Sequence, residues 1–115
     1  MKLTYTSEQV QKLLDFGLGK TREVSASASA LITDGMLIVD ATTATITLPL
    51  LADAWDATLE VGTRIIIQKA TGSALGVITV DGNGSNIEGM ATNTDINTAG
   101  ENLQVVATAT EWKIV

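Results

Sequence analysis

The stretch TRIIIQKA, residues 63–70, decides the fold. Three consecutive isoleucines between Arg64 and Gln68 suit a pleated strand, because β-branched side chains pack well there. A continuous apolar run also marks a strand buried on both faces. Outward from this run the pattern stays β. Toward the C-terminus, TGSALG (71–76) reads as a turn, VITVDG (77–82) alternates, GNGSN (82–86) is a tight loop and NIEGM (86–90) a brief strand. NLQVVAT (102–108) and EWKIV (111–115) form a closing hairpin joined near Ala109 and Thr110. Toward the N-terminus, MLIVDA (36–41) and ATITLPL (44–50) are strands. Pro49 ends the second, since proline has no amide to donate to a ladder. LLADAWDATLEVG (50–62) is a longer excursion with a helical turn around Asp53–Trp55. Short strands punctuated by Gly and Asn predict a mainly β fold, a small antiparallel β-sandwich or barrel. No strict internal repeat is evident.

The first 20 residues read differently. TSEQVQKLLDF predicts a short N-terminal helix: Thr6 and Gln9 have capping-box spacing, and Val10, Leu13 and Leu14 share one face. Gly17 stands where a helix C-cap glycine belongs, and Lys20 and Arg22 follow as cations past the helix end. FGLGKT (16–21) ends like a phosphate-binding loop. That loop needs G-x-x-x-x-G-K-[ST] after a strand and before a helix. The first glycine position holds Leu14, and the helix comes before the glycines. Gly-Lys-Thr is therefore read as a helix stop and a hinge. The chain divides into a helical arm (1–20), a segment TREVSASASALIT (21–33) that is either a flexible linker or an extended strand, and a β-domain (34–115).

Composition narrows the function. The 115 residues suffice for one small domain, beginning at Met1 as an intact gene product would. There is no cysteine and no histidine, which removes disulfides, thiolate nucleophiles, imidazole bases and the commonest zinc ligands. The net charge is −6, and the seven basic residues form no patch that would neutralise phosphates. Nucleic acid is not an expected partner. No apolar run approaches the roughly 20 residues that span a bilayer, and MKLTYTSEQ is too polar for a signal-peptide core. Thr and Ala supply 31 residues, aromatics 3% and charged residues 17%. A small domain so poor in large aromatics has trouble burying enough area alone, and oligomerisation is one remedy.

The order of elements resembles the small β-domain of bacteriophage fibre and decoration proteins. The residues that carry the likeness are Thr45, Thr47, Leu48 and Pro49; Gly62, Ile65, Ile67 and Lys69; Val77, Thr79, Val80, Gly82, Gly84, Ile87 and Gly89; and Val105, Val106, Trp112 and Ile114. They span residues 36 to 115 and exclude the arm. The step before the closing Trp strand, often Gly or Asn in that family, is Thr110-Glu111 here. The resemblance implies a homotrimeric virion surface protein, a head fibre or capsid decoration protein, with no catalysis and no cofactor of its own.

Several constellations compete with plainer readings. Asp81, Asn83 and Ser85 fall at calcium-loop positions 1, 3 and 5. Position 6 is Asn86 rather than Gly and position 12 is Thr92 rather than Glu, so a Gly-Asn turn is the better reading. Asp53, Asp56 and Glu60 could form a carboxylate set for glycoside hydrolysis, or simply a solvated face around Trp55. Trp112 belongs to a core face. Trp55 is the candidate glycan contact. The stripe Val10, Leu13, Leu14 and Phe16 is the candidate partner-binding surface, packed on its own domain, on a virion protein, or on the equivalent arms of a trimer in a three-helix contact. The expectation is a non-enzymatic protein of the virion surface, attached by its arm. The alternative is a tail-fibre receptor-binding or carbohydrate-binding module that contacts a host surface glycan.

Overall fold

The computed structural model describes residues 6–8, 19–72, 76–89 and 92–115. The stripe Val10, Leu13, Leu14 and Phe16, and with it most of the expected helical arm, lies outside the described residues. The described chain is mainly β. It runs β1 (Lys20–Val24), β2 (Ala28–Ser29), β3 (Asp34–Val39), β4 (Ala44–Thr47), the one-turn helix α1 (Leu51–Ala54), β5 (Trp55–Asp56), β6 (Val61–Gly62), β7 (Arg64–Lys69), β8 (Ile78–Asp81), β9 (Asn93–Ile96), β10 (Asn102–Ala107) and β11 (Trp112–Ile114).

Successive strands alternate between two sheets. β1, β3 and β7 lie side by side in one sheet, and β2, β4 and β8 in the other. All four of these pairings are parallel. A parallel pair needs a long crossover between its members. Here the crossover is itself a strand of the opposite sheet, so the chain winds in coils. The winding then stops. β9 runs antiparallel to β8, β10 antiparallel to β7, and β11 antiparallel to β10. The result is a five-stranded sheet β1-β3-β7-β10-β11, a four-stranded sheet β2-β4-β8-β9 and the small ribbon β5-β6.

This corrects the antiparallel expectation. Direction is not written in short apolar strands, because a buried run alternates or fills in the same way whichever way its neighbour runs. The extended alternative for residues 21–33 describes β1 and β2, and the ladder begins at Lys20. The hinge reading of Gly-Lys-Thr gives way too. Lys20 and Thr21 open a strand, and Gly19 is there for close packing: a Cβ on it would collide with the backbone of Gly35. β9 was not expected from NTDI, where Ile96 alone is buried. NIEGM contributes only a single bridge, from Ile87 to Trp112.

The inner faces of both sheets supply one apolar cluster. Leu37, Val39, Ile65, Ile67, Val105 and Trp112 come from the larger sheet, and Ala44, Ile46, Ile78, Val80 and Ile96 from the smaller. TRIIIQKA is buried on one face only: Ile65, Ile67 and Lys69 point inward, while Ile66 and Gln68 are half-buried on the outside. Lys69 is fully buried at the end of that row, where its Nζ donates to the Gly76 carbonyl and ties down the β7–β8 connection.

The closing hairpin shows how Thr110-Glu111 replaces a Gly or Asn turn. Thr108 Oγ1 accepts from the amides of Thr110 (3.3 Å) and Glu111 (3.1 Å) and donates to the Glu111 carbonyl (2.7 Å). A threonine side chain thus supplies the turn hydrogen bonds that a special backbone would otherwise provide. Beyond it, the Glu111 carboxylate and Lys113 lie 2.8 Å apart. Their hydrogen bond holds the Glu111 pKa below the ordinary carboxylate range and raises that of Lys113.

Trp112 is completely buried, and its Nε1 finds no acceptor among the described residues. Trp112→Ala is expected to cost about 3–5 kcal/mol in denaturant unfolding, as for other buried large aromatics. Trp112→Phe should cost clearly less, because it also removes a buried unpaired donor. A loss for the alanine variant near the surface range of about 0.5 kcal/mol would show that this strand does not close the core. A second expectation concerns Glu111. Its lowered pKa means that its contribution is present above the unfolded value and fades as pH falls through the folded value. In an NMR titration its midpoint should move upward in Lys113→Met, and an unchanged midpoint would remove Lys113 as the cause.

Candidate functional site

A cleft lies at the join between the coils. Ala30, Leu31, Ile32 and Thr33, between β2 and β3, form one wall. Pro49, Ala52 and Asp53, from the end of β4 through α1, form the other. The cleft has a volume of about 540 Å³. Leu31 in the first wall is about half exposed (50%), one of the few large apolar side chains on the described surface.

An ion pair between the half-exposed Arg22 and the buried Asp34 shapes the first wall. Gly35 is the extra residue of a bulge in the β1–β3 ladder, since Lys20 faces Asp34 and Thr21 faces Met36. The bulge turns Asp34 inward, where it is 2% exposed. Arg22 Nη2 donates to Asp34 Oδ2 at 2.9 Å, and Arg22 Nε to Oδ1 at 3.2 Å. The same Nη2 also donates to the Ser29 carbonyl at 2.9 Å. Asp34 Oδ2 further accepts from the Leu31 amide at 2.8 Å. From the other side, the buried Thr63 hydroxyl donates to the Ile32 carbonyl at 2.9 Å. The wall is therefore fixed at residues 29, 31, 32 and 34 before anything enters the cleft. The hydrogen bonds to Asp34 raise the Arg22 pKa above its ordinary value. Such a group stabilises below its unfolded pKa, and that stabilisation fades only above the folded one. Arg22 thus stays charged throughout the working pH range.

The second wall follows from Pro49. β4 ends just before it, at Thr47, and the amides of Asp53 and Ala54 both donate to the Leu50 carbonyl at 3.0 Å, which forms the single turn of α1. Asp53 is exposed and is the one charged side chain among the described residues that line the cleft. The chemistry on offer is an apolar trough with one carboxylate at its edge.

The carboxylate set of the sequence reading is dispersed into separate roles. Asp53 lines the cleft, Asp56 Oδ1 accepts from the amides of Thr58 and Leu59 at 2.9 Å, and Glu60 is exposed at φ 54° in the turn between β5 and β6. Trp55 is half-buried in the β5–β6 ribbon, opposite Gly62, and is not part of the cleft wall. Asp81, Asn83 and Ser85 build a turn. Asp81 Oδ1 accepts from the Asn83 amide at 2.9 Å, and Asn83 and Gly84 both have positive φ (56° and 87°). Among the described residues no three His, Cys, Asp or Glu side chains converge as metal ligands. The cleft itself escaped the sequence reading. Its clearest signal was Leu31, a leucine that follows SASASA outside any strand of the sequence reading.

Asp34→Asn removes the charge but keeps the shape. It is expected to lower stability by about 1–3 kcal/mol, because Arg22 and the Leu31 amide keep donors with a poorer acceptor. Amide exchange at Leu31 should rise with it. A variant as stable as the parent, with Leu31 still protected, would show that the turn is held without the ion pair.

A scan against protein-family models found no match for this chain, and a search of curated proteins found none.

Proposed function

We propose that this chain is a non-enzymatic structural protein of the bacteriophage virion surface, a head fibre or capsid decoration protein that works as a homotrimer. The observation that carries the reading is where the residues of the motif go. Ile65, Ile67, Val80, Ile87, Val105 and Trp112 are all in the core. Gly82 and Gly84 form the turn after β8, and Pro49 follows β4 at the start of the second cleft wall. The motif is consumed by architecture, which suits a protein whose task is to hold a shape on a particle. The arm, residues 1–20, is the proposed attachment element, through Val10, Leu13, Leu14 and Phe16.

A second reading rests on the cleft and on Trp55. An apolar trough near a partly exposed indole is the kind of surface on which a tail-fibre module could hold a host glycan.

One set of measurements separates the two. Light scattering on the eluting protein should give three times the 12.0 kDa chain mass. Immunogold microscopy and mass spectrometry of particles from the encoding phage should place the chain on the capsid. A monomer at micromolar concentration, or particles free of the chain, would overturn the proposal. Localisation to the tail, with glycan binding lost in Trp55→Ala, would establish the alternative.

A further inference from the structure

Two apolar surfaces of this chain need a partner, and only a few residues separate them. The first is the cleft of about 540 Å³ lined by Ala30, Leu31, Ile32, Pro49 and Ala52. A volume of that size takes more than one side chain. The second is the stripe Val10, Leu13, Leu14 and Phe16, known from the sequence alone. A helix of about ten residues does not persist in water unless such a stripe packs on something. The root of the arm fixes the distance between the two surfaces. Thr33 lines the cleft, and its carbonyl accepts from the Lys20 amide at 2.6 Å. Gly19 lies against the backbone of Gly35 with no room for a Cβ. The arm therefore joins the described fold at the lip of the first cleft wall. Phe16 stands three residues ahead of Gly19, at most about 10 Å of extended chain. Val10 stands nine residues ahead, about 14 Å if the segment is helical. The whole stripe is thus within reach of the cleft.

We infer that the cleft is the seat of the chain's own N-terminal arm, with the stripe of residues 10–16 laid between Leu31 and Ala52. The inference goes beyond the attachment reading and does not rest on it, for it says where the stripe lies before a particle is met. The occupant is the arm of the same chain because the tether is short. A segment held this close faces the cleft at an effective concentration of about millimolar. A free segment at micromolar concentration is outcompeted about a thousandfold by that tether alone. The seat is also prepared in advance. Asp34 holds the Leu31 amide at 2.8 Å, and the Thr63 hydroxyl holds the Ile32 carbonyl at 2.9 Å. Docking on a wall already ordered avoids most of the cost of ordering it. Two consequences follow for the readings above. A particle that binds the stripe must draw it out of the cleft, and a glycan could enter the cleft only after the arm has left.

The test uses the full chain, whose lack of cysteine makes any disulfide an engineered one. Leu14→Cys is combined with Ala52→Cys in the cleft, or with Asn97→Cys as a control. Asn97 is exposed beyond the end of β9, at the edge of the molecule where β7 finishes, whereas the cleft lies where β7 starts. A disulfide needs the two Cβ atoms within about 4.5 Å. Under mild oxidation the 14–52 bridge should form within one chain about tenfold faster than the 14–97 bridge. Equal rates would overturn the inference. An equimolar mixture of the two single variants, Leu14→Cys and Ala52→Cys, should give no more crosslinked dimer than a mixture of Leu14→Cys with Asn97→Cys. Rapid 14–52 dimers would mean that arms are exchanged between copies, and would overturn it as well. A second measurement needs no cysteine. In Leu13→Ser with Leu14→Ser, the amide NMR signals of Leu31 and Ala52 should move while those of Ile96 and Val105 stay in place. Signals of Leu31 and Ala52 that do not move would overturn the inference by themselves. None of these results alters the trimer mass or the particle location on which the virion reading is judged.

Discussion

The parallel pairing of β3 with β7 is the contact on which the rest depends. β3 and β7 sit at the centre of the larger sheet, flanked by β1 on one side and by β10 and β11 on the other. Their inward residues, Leu37 and Val39 against Ile67 and Lys69, make the middle of the core. Because each is followed by a strand of the opposite sheet, fixing this one pair also places β4 beside β8. A register slip of one residue would turn every isoleucine of β7 to the wrong face. Before that pair forms, neither sheet has a template. Non-local pairing of this sort carries a loop-closure cost before any contact forms.

The coils explain why the sequence showed its strands more clearly than its topology. Ile65, Ile67, Val80, Val105 and Trp112 are legible as core residues because the alternation that buries them is local. The closing hairpin is legible because both strands and their turn lie within one short stretch. Strand direction is set by which sheet the next strand joins, and Ser25–Ser27 or Asp40–Thr43 carry no residue that encodes that choice. β1 and β2 were obscured for a related reason. KTREV lacks an apolar alternation and pairs with β3, while SASASA (25–30), an alternation of small residues, yields only the two residues of β2, which pair with β4. The ion pair between Arg22 and Asp34 was hidden by a bulge, which put Asp34 on a face that simple parity would not have given it.

Two buried polar groups mark opposite solutions to one problem. Asp34 is buried with a full set of donors: a guanidinium on two sides and an amide on a third. A buried carboxylate so partnered keeps its charge and fixes a turn. Trp112 is buried with its Nε1 unpaired among the described residues. The indole is tolerated for its volume, since the chain has few large aromatics with which to fill the junction of β10, β11 and the Ile87 bridge. A composition of small Ala and Thr side chains thus concentrates the core on one tryptophan and a set of isoleucines.

The start of the ladder fixes where an arm can begin. Gly19 packs against Gly35 with no room for a Cβ on either, and the Lys20 amide donates to the Thr33 carbonyl at 2.6 Å. Arg22, two residues further on, is the partner of Asp34. Anything attached ahead of Gly19 therefore leaves from the edge strand of the larger sheet, beside the bulge that turns Asp34 inward. The edge strand β1 also contributes Glu23 to the outer face of that sheet. An element joined at this point would be held beside that sheet by chain connectivity alone. The two glycines are what let the chain enter the ladder at that corner, since a Cβ on either would collide with the backbone of the other.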